Sequence, residues 1–155
     1  IQNADDCLPP LYLRAQNMDT SKYGDGDRSY MAAGELEGIT RLVDAFYDNM
    51  ERLPIARAIR QMHPMDLGES RRRLAFFLSG WLGGPRLYQE HYGGISIPNF
   101  HRHLPIGDSE KEAWLLCMQE AIAEQPYQDT FKKYLIEQLR VPAERIQWAA
   151  EAKPR

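Results

Sequence analysis

Residues 70–88 read SRRRLAFFLSGWLGGPRLY, and this stretch decides the fold class. Leu74, Phe77, Leu78, Trp81 and Leu82 follow the i, i+3, i+4, i+7, i+8 spacing that lines one face of a helix. Gly83-Gly84-Pro85 then stops it, because glycine admits the left-handed cap and proline cannot continue the ladder. Ser70 is read as the residue that opens this helix. Arg71, Arg72 and Arg73 sit in its first turns, where positive charge opposes the helix dipole at about 0.3–1 kcal/mol each. They read either as a solvated basic face or, more sharply, as a cluster in which at least one arginine holds an anionic partner.

Working towards the N-terminus, Ile39, Leu42, Val43, Phe46, Tyr47 and Met50 repeat the same pattern out to i+11, which predicts a long amphipathic helix. Pro54 starts a shorter helix through Ile55, Ala58, Ile59 and Met62. Pro64 ends it, since the residue before a proline avoids the helical region. Residues 1–30, rich in Asp, Asn, Gly, Pro and Ser, show little periodicity. They are read as a largely irregular extension draped over a domain of residues 31–155, with Tyr12, Leu13 and Tyr23 as anchors.

Working towards the C-terminus, residues 90–108 carry Gly93, Gly94, Pro98, Pro105 and Gly107 and are read as loop-like. Ser109 is read as an N-cap, with Glu112 three residues on as its capping-box partner. Trp114, Cys117, Met118 and Ile122 line the helix that follows. A last helix carries Tyr127, Phe131, Tyr134, Leu135 and Leu139. Val141-Pro142 is expected to break it, with Ala143 to Ala150 resuming and Ile146 and Trp148 facing inward. No segment alternates with period two, so the fold class is all-α, with about five to six helices.

The chain has 155 residues, of which 43% are hydrophobic, enough for one domain with a real core. A net charge of −3 and a pI near 5.8 argue against a dedicated nucleic-acid surface. No run approaches the roughly 20 apolar residues that span a bilayer. The opening IQNADDCLPP lacks the basic and apolar regions of a signal peptide. Cys7 and Cys117, the two cysteines, have no zinc-like spacing and are read as free thiols, which fits a reducing, cytoplasmic setting.

Four histidines are available: His63, His91, His101 and His103. None belongs to an HExxH motif. Zinc at His91, His101 and His103 would lack thiolates and a fixed helical spacing. His103 has a distinctive setting, in HRHLPIG, between a glycine-containing loop and a helix rich in Trp, Met and Leu. Such a setting presents one imidazole to an apolar cavity. Haem iron asks for that arrangement, and the haem propionates ask for arginine or tyrosine at the pocket mouth. Arg73, Tyr88 and Arg102 are suppliers. Taken alone, each histidine also reads as an ordinary surface residue, and Tyr47 and Trp114 as ordinary core.

Four blocks stand in order from Ala33 to Ile122: AGELEGITRLVDAFY, RRRLAFFLSGWLGGPRLY, RHLPI and KEAWLLCM. Their order and content resemble the second group of truncated haemoglobins. The resemblance implies a two-over-two helical sandwich around haem b and its iron, binding O2, NO or CO. It makes His103 the proximal iron ligand. Tyr47 and Trp114 become the distal hydroxyl and indole donors, with Ser70 and Leu74 on the distal helix above the haem. Phe46, Phe77 and Leu78 line the slot, and Arg73, Tyr88 and Arg102 hold the propionates. His63 falls at a corner position often occupied by Tyr, Phe or His, after a segment about three residues longer than in the shorter relatives. It stands there as a donor to the bound ligand or, like Tyr47, as a candidate sixth iron ligand.

Several donors facing one bound ligand, at about 1.5–3 kcal/mol each, favour slow release and redox chemistry over simple oxygen transport. NO detoxification or peroxidase turnover would then need a separate reductase. A haem-based gas sensor or ligand-responsive interaction module is the alternative, with the N-terminal extension as its one supporting feature. Homo-oligomer formation is left open by the sequence.

Overall fold

The computed structural model describes residues 22–94, 101 and 103–152, and all secondary structure among them is helical. The order is α1 (Arg28–Ala32), α2 (Glu35–Arg52), a 3-10 turn (Pro54–Ala56), α3 (Arg57–Gln61), α4 (Gly68–Trp81), α5 (Leu87–Tyr92), α6 (Asp108–Ala123) and α7 (Asp129–Glu151). Helix α2 packs on both α4 and α6, and α6 packs on α7, so four long helices in two pairs carry the domain.

The apolar face of α2 lies where its periodicity places it. Ile39, Leu42, Val43, Phe46, Tyr47 and Met50 are all buried. They meet Leu78 and Ala75 of α4, Cys117, Met118 and Ala121 of α6, and Phe131, Leu135 and Leu139 of α7 in one continuous core. Each large apolar side chain buried there contributes about 1.5–3 kcal/mol. The crossing of α2 and α6 also carries a polar tie. The buried Asn49 amide donates to the Cys117 carbonyl at 3.0 Å.

Gly83-Gly84 ends α4 as expected, and the geometry shows how. The Gly84 N–H donates to the Ser79 carbonyl at 2.8 Å and the Gly83 N–H to the Gly80 carbonyl at 3.0 Å, with Gly83 at φ +93°. This is a Schellman cap, in which the left-handed residue has to be free of a Cβ penalty. The pair also receives the N-terminal segment. A Cβ at Gly83 would strike the Gly26 carbonyl, and one at Gly84 would strike the Tyr30 ring. The Tyr30 N–H donates to the Leu82 carbonyl at 3.0 Å. Tyr23 packs on Phe131 and Tyr134, with centroids 5.3 and 5.2 Å away. Tyr12 and Leu13 lie outside the described residues.

Six local expectations are corrected. Helix α4 begins at Gly68, where the Asp66 carboxylate accepts the Gly68 N–H at 2.8 Å, so Ser70 sits inside it. Helix α6 begins at Asp108. Its first turn is closed by Glu110, whose carboxylate accepts the Gly107 N–H at 3.2 Å, rather than by Ser109 with Glu112. Helix α7 runs straight through Pro142, because Leu139, Ala143, Gln147 and Ala150 stay buried in one unbroken register. That register turns Trp148 outward, 61% exposed, instead of inward. A short helix, α5, also occupies the start of the stretch read as loop, and Tyr127 precedes α7.

Candidate functional site

Helices α2, α4 and α6 bring together most of the residues singled out in the sequence. The Phe46 ring lies between two others. It meets Trp114 edge to face at 5.2 Å and Tyr47 edge to face at 4.9 Å. Tyr47 in turn meets His63 edge to face at 5.7 Å. Trp114, Phe46, Tyr47 and His63 thus form one aromatic wall, in the order α6, α2, α2 and the segment just after α3. Adjacent aromatic pairs at this spacing contribute about 0.5–1.5 kcal/mol beyond area burial.

The polar atoms of this wall have defined states. The Tyr47 hydroxyl reaches the Ser70 carbonyl at 3.4 Å, a long hydrogen bond that leaves its proton weakly committed. Burial pushes the Tyr47 phenol up to about 12, against the opposing pull of the Arg71 guanidinium, so at neutral pH the group is a protonated donor. The His63 Nδ1 lies 2.8 Å from the Ile59 carbonyl, which only accepts, so Nδ1 carries the proton. Burial holds the imidazole below its ordinary range, with the Arg60 charge in the same direction and the Ile59 bond opposing. The neutral ring therefore keeps its lone pair on Nε2.

Leu74, Phe77 and Trp81, like Trp114 of the wall, rest against the core but are only half covered. Phe77 stacks on Trp81 at 6.5 Å, and Leu78 beneath them is fully buried. At the edge, the Arg73 Nη1 donates to the Tyr88 hydroxyl at 3.3 Å and its Nε pairs with Glu69 at 3.3 Å. The Arg73 guanidinium also lies 4.2 Å from the Tyr92 ring centre, and the buried Tyr92 hydroxyl has no hydrogen-bond partner among the described residues. His103 lies within the short turn closed by the Leu104 N–H on the His101 carbonyl. Its side chain is exposed, and its imidazole makes no hydrogen bond to another described residue. Arg102 lies outside the described residues.

This donor set fits a haem. One uncommitted imidazole, half-covered apolar walls and an arginine with phenols at the margin are what an iron macrocycle with two carboxylates requires. Among the described residues no three His, Cys, Asp or Glu side chains converge as a bare metal site. A separate cavity of about 270 Å³, between Gly24, Ser29, Leu82 and Tyr134, is lined by no imidazole, thiol, carboxylate or guanidinium. It touches the aromatic set only through Trp81.

Some of the arrangement escaped the sequence. At least one of the three arginines is expected to hold an anion; Arg71 does, and its anions, Asp44 and Asp48, lie on a different helix. Their i, i+4 spacing on α2 was the available signal. Glu69 stands one turn before Arg73, a spacing that was also an available signal, whereas nothing local marks the Tyr92 phenol as lying beside a distant guanidinium.

The sequence and the fold are similar to those of known proteins. The bacterial-like globin family model matches residues 29–147. The group 2 truncated haemoglobin YjbI of Bacillus subtilis is 33% identical over 126 residues, covering 81% of this chain and 92% of that protein. The group II 2-on-2 haemoglobin of Agrobacterium tumefaciens is 32% identical, covers 77% of this chain and 92% of its own, and superposes with a TM-score of 0.73. The truncated oxygen-avid haemoglobin of Bacillus subtilis is 30% identical, with 76% and 97% covered and a TM-score of 0.69. The chain belongs to the bacterial-like globins, a haem-binding family, and within them to the group 2 truncated haemoglobins.

Proposed function

We propose that this globin holds its haem through His103 and retains a diatomic ligand, O2, NO or CO, by hydrogen bonds from Tyr47 and Trp114. The observation that carries the reading is the wall Trp114–Phe46–Tyr47–His63, with its buried, protonated Tyr47 hydroxyl. The haem supplies the iron at which the ligand binds. Phe46, Phe77 and Leu78 supply the apolar slot. Arg73, Tyr88 and Arg102 supply charge and phenol to the propionates. Ser70 and Leu74 face the ligand from α4, and the Ser70 carbonyl lies 3.4 Å from the Tyr47 hydroxyl, far enough to leave its proton for the ligand.

His63 enters this site as an acceptor or a ligand rather than a donor, because its one proton is spent on Ile59. That makes it, rather than the protonated Tyr47, the better candidate for a sixth iron ligand. Firm retention of the ligand favours redox turnover, of NO or peroxide, with electrons from a separate reductase in a reducing cytoplasm. The oxygen-avid haemoglobin of Bacillus subtilis, similar over three quarters of this chain, lends support to tight retention. The sensor reading rests on the tie between Tyr30 and Leu82, which joins the N-terminal segment to the end of α4.

Visible absorption of the ferric and ferrous protein, wild type against His103→Ala, tests the assignment. The substitution is expected to abolish the normal five- or six-coordinate spectra. Unchanged coordination in His103→Ala would overturn it, and absence of any Soret band in the wild type would overturn haem binding altogether.

A further inference from the structure

We infer that Arg71 is a positioning residue for the distal site, a clamp that sets how the Tyr47 hydroxyl meets the ligand. The inference rests on the distal role of Tyr47 proposed above. Arg71 stands on α4, next to Ser70. Its Nη1 donates to both the carboxylate and the backbone carbonyl of Asp44 at 3.1 Å, and its Nη2 donates to the Asp48 carboxylate at 2.9 Å. One side chain of α4 is thus held at three points on α2. Its guanidinium carbon also lies 5.6 Å from the centre of the Tyr47 ring.

The geometry explains why this clamp bears on Tyr47 rather than on packing in general. Asp44 and Asp48 lie one turn apart on α2, so Arg71 spans the turn that contains Tyr47. Tyr47 is closed in by Phe46 on one side and His63 on another, while Arg71 covers part of what remains. Its hydroxyl proton reaches toward Ser70, the residue just before Arg71. The distance between the first turns of α4 and this part of α2 therefore fixes the Tyr47 hydroxyl, the Ser70 carbonyl and the space between them. A planar guanidinium with forked donors holds that distance with a defined orientation, which an ammonium does not. Arg72 and Arg73 have no such role. They pair within α4 with Glu69 and lie over Tyr92.

The test compares the haem-loaded wild type with Arg71→Met, Arg71→Lys and Tyr47→Phe. The readouts are the infrared C–O stretch of the carbon monoxide complex and the O2 dissociation rate. A donor close to the ligand lowers that stretch, so the clamp predicts that Arg71→Met moves it to higher frequency, in the direction of Tyr47→Phe. O2 dissociation is expected to speed up about tenfold, the equivalent of one weakened hydrogen bond. Arg71→Lys is expected to fall between wild type and Arg71→Met. The iron–histidine stretch of the ferrous protein should stay put, which a general loosening of the fold would not allow. Should Arg71→Met fail to fold, the double variant Asp44→Asn with Asp48→Asn removes the anionic acceptors while keeping the guanidinium, and is expected to shift the stretch the same way. An unmoved C–O stretch in Arg71→Met or in the double variant, with a shift in Tyr47→Phe, would overturn the clamp alone. No shift in Tyr47→Phe would overturn the distal role of Tyr47 and the clamp with it.

Discussion

The rings of Phe46 and Trp114 meet edge to face, 5.2 Å between centroids and 61° between planes, and this contact joins α2 to α6 beside the Tyr47 hydroxyl. The contact sets the depth at which the half-covered indole of Trp114 stands in the site. If Tyr47 and Trp114 each donate to the bound ligand, each loss costs about 1.5–3 kcal/mol, or roughly 10- to 150-fold in release. Tyr47→Phe and Trp114→Phe are accordingly expected to speed O2 dissociation by that range, measured by rapid mixing. Fast release in the wild type, unaffected by either change, would remove the two donors from the reading.

The state of His63 has a consequence for stability. Burial holds its folded pKa below the ordinary value near 6.5, so the folded site refuses a proton that the unfolded chain takes up. The stability that the neutral ring contributes is complete above about pH 6.5 and is lost as pH falls through the depressed folded value. Thermal unfolding between pH 7.5 and about pH 5 should therefore show a drop in Tm that is smaller in His63→Phe. Equal drops in the two proteins would mean that His63 titrates alike when folded and unfolded.

How much of this was legible in the sequence depended on whether a signal was local. The face of α2 from Ile39 to Met50 was legible because burial follows helical period, and every position in it is buried. The tetrad of Trp114, Phe46, Tyr47 and His63 was legible as a set of residues but not as a wall, since ring contacts across three helices leave no trace in spacing. Misreadings came where a local rule met a stronger tertiary one. Ser109 is a good capping residue, but Glu110 closes the turn on Gly107 two residues earlier. Trp148 was read inward because a break at Pro142 would have reset the register. In an unbroken helix it falls about 180° round from the buried Leu139.

Cys117 gives a chemical check on the α2–α6 crossing. The residue is fully buried and free, and burial pushes its thiol up to about 11, with Glu120 adding in the same direction. A thiol held protonated and out of solvent is a poor nucleophile. In a Cys7→Ser variant, a thiol-reactive probe at pH 8 should leave Cys117 unlabelled while the protein is folded and label it fully in denaturant. Prompt labelling of the folded protein would show that this crossing opens far more readily than its packing suggests.

Pro142 carries a backbone cost inside a long helix. It has no N–H to offer the Gln138 carbonyl four residues back, and its ring crowds that carbonyl. The helix nevertheless continues, because stopping would uncover Ala143, Gln147 and Ala150 and would release Gln147 from its bonds to Asp108 at 2.6 Å and Glu151 at 3.0 Å. Burial and these bonds together outweigh one missing ladder bond. Pro142→Ala restores that bond and removes the crowding without changing the register, so it is expected to stabilise the protein by about 1–3 kcal/mol. For a domain of this size that corresponds to a rise in Tm of about 2–4 °C for each kcal/mol. Calorimetry of the two proteins measures it directly. A lower Tm in Pro142→Ala would show that the proline imposes a bend the α6–α7 packing depends on, and that the helix is shaped by Pro142 rather than continuing in spite of it.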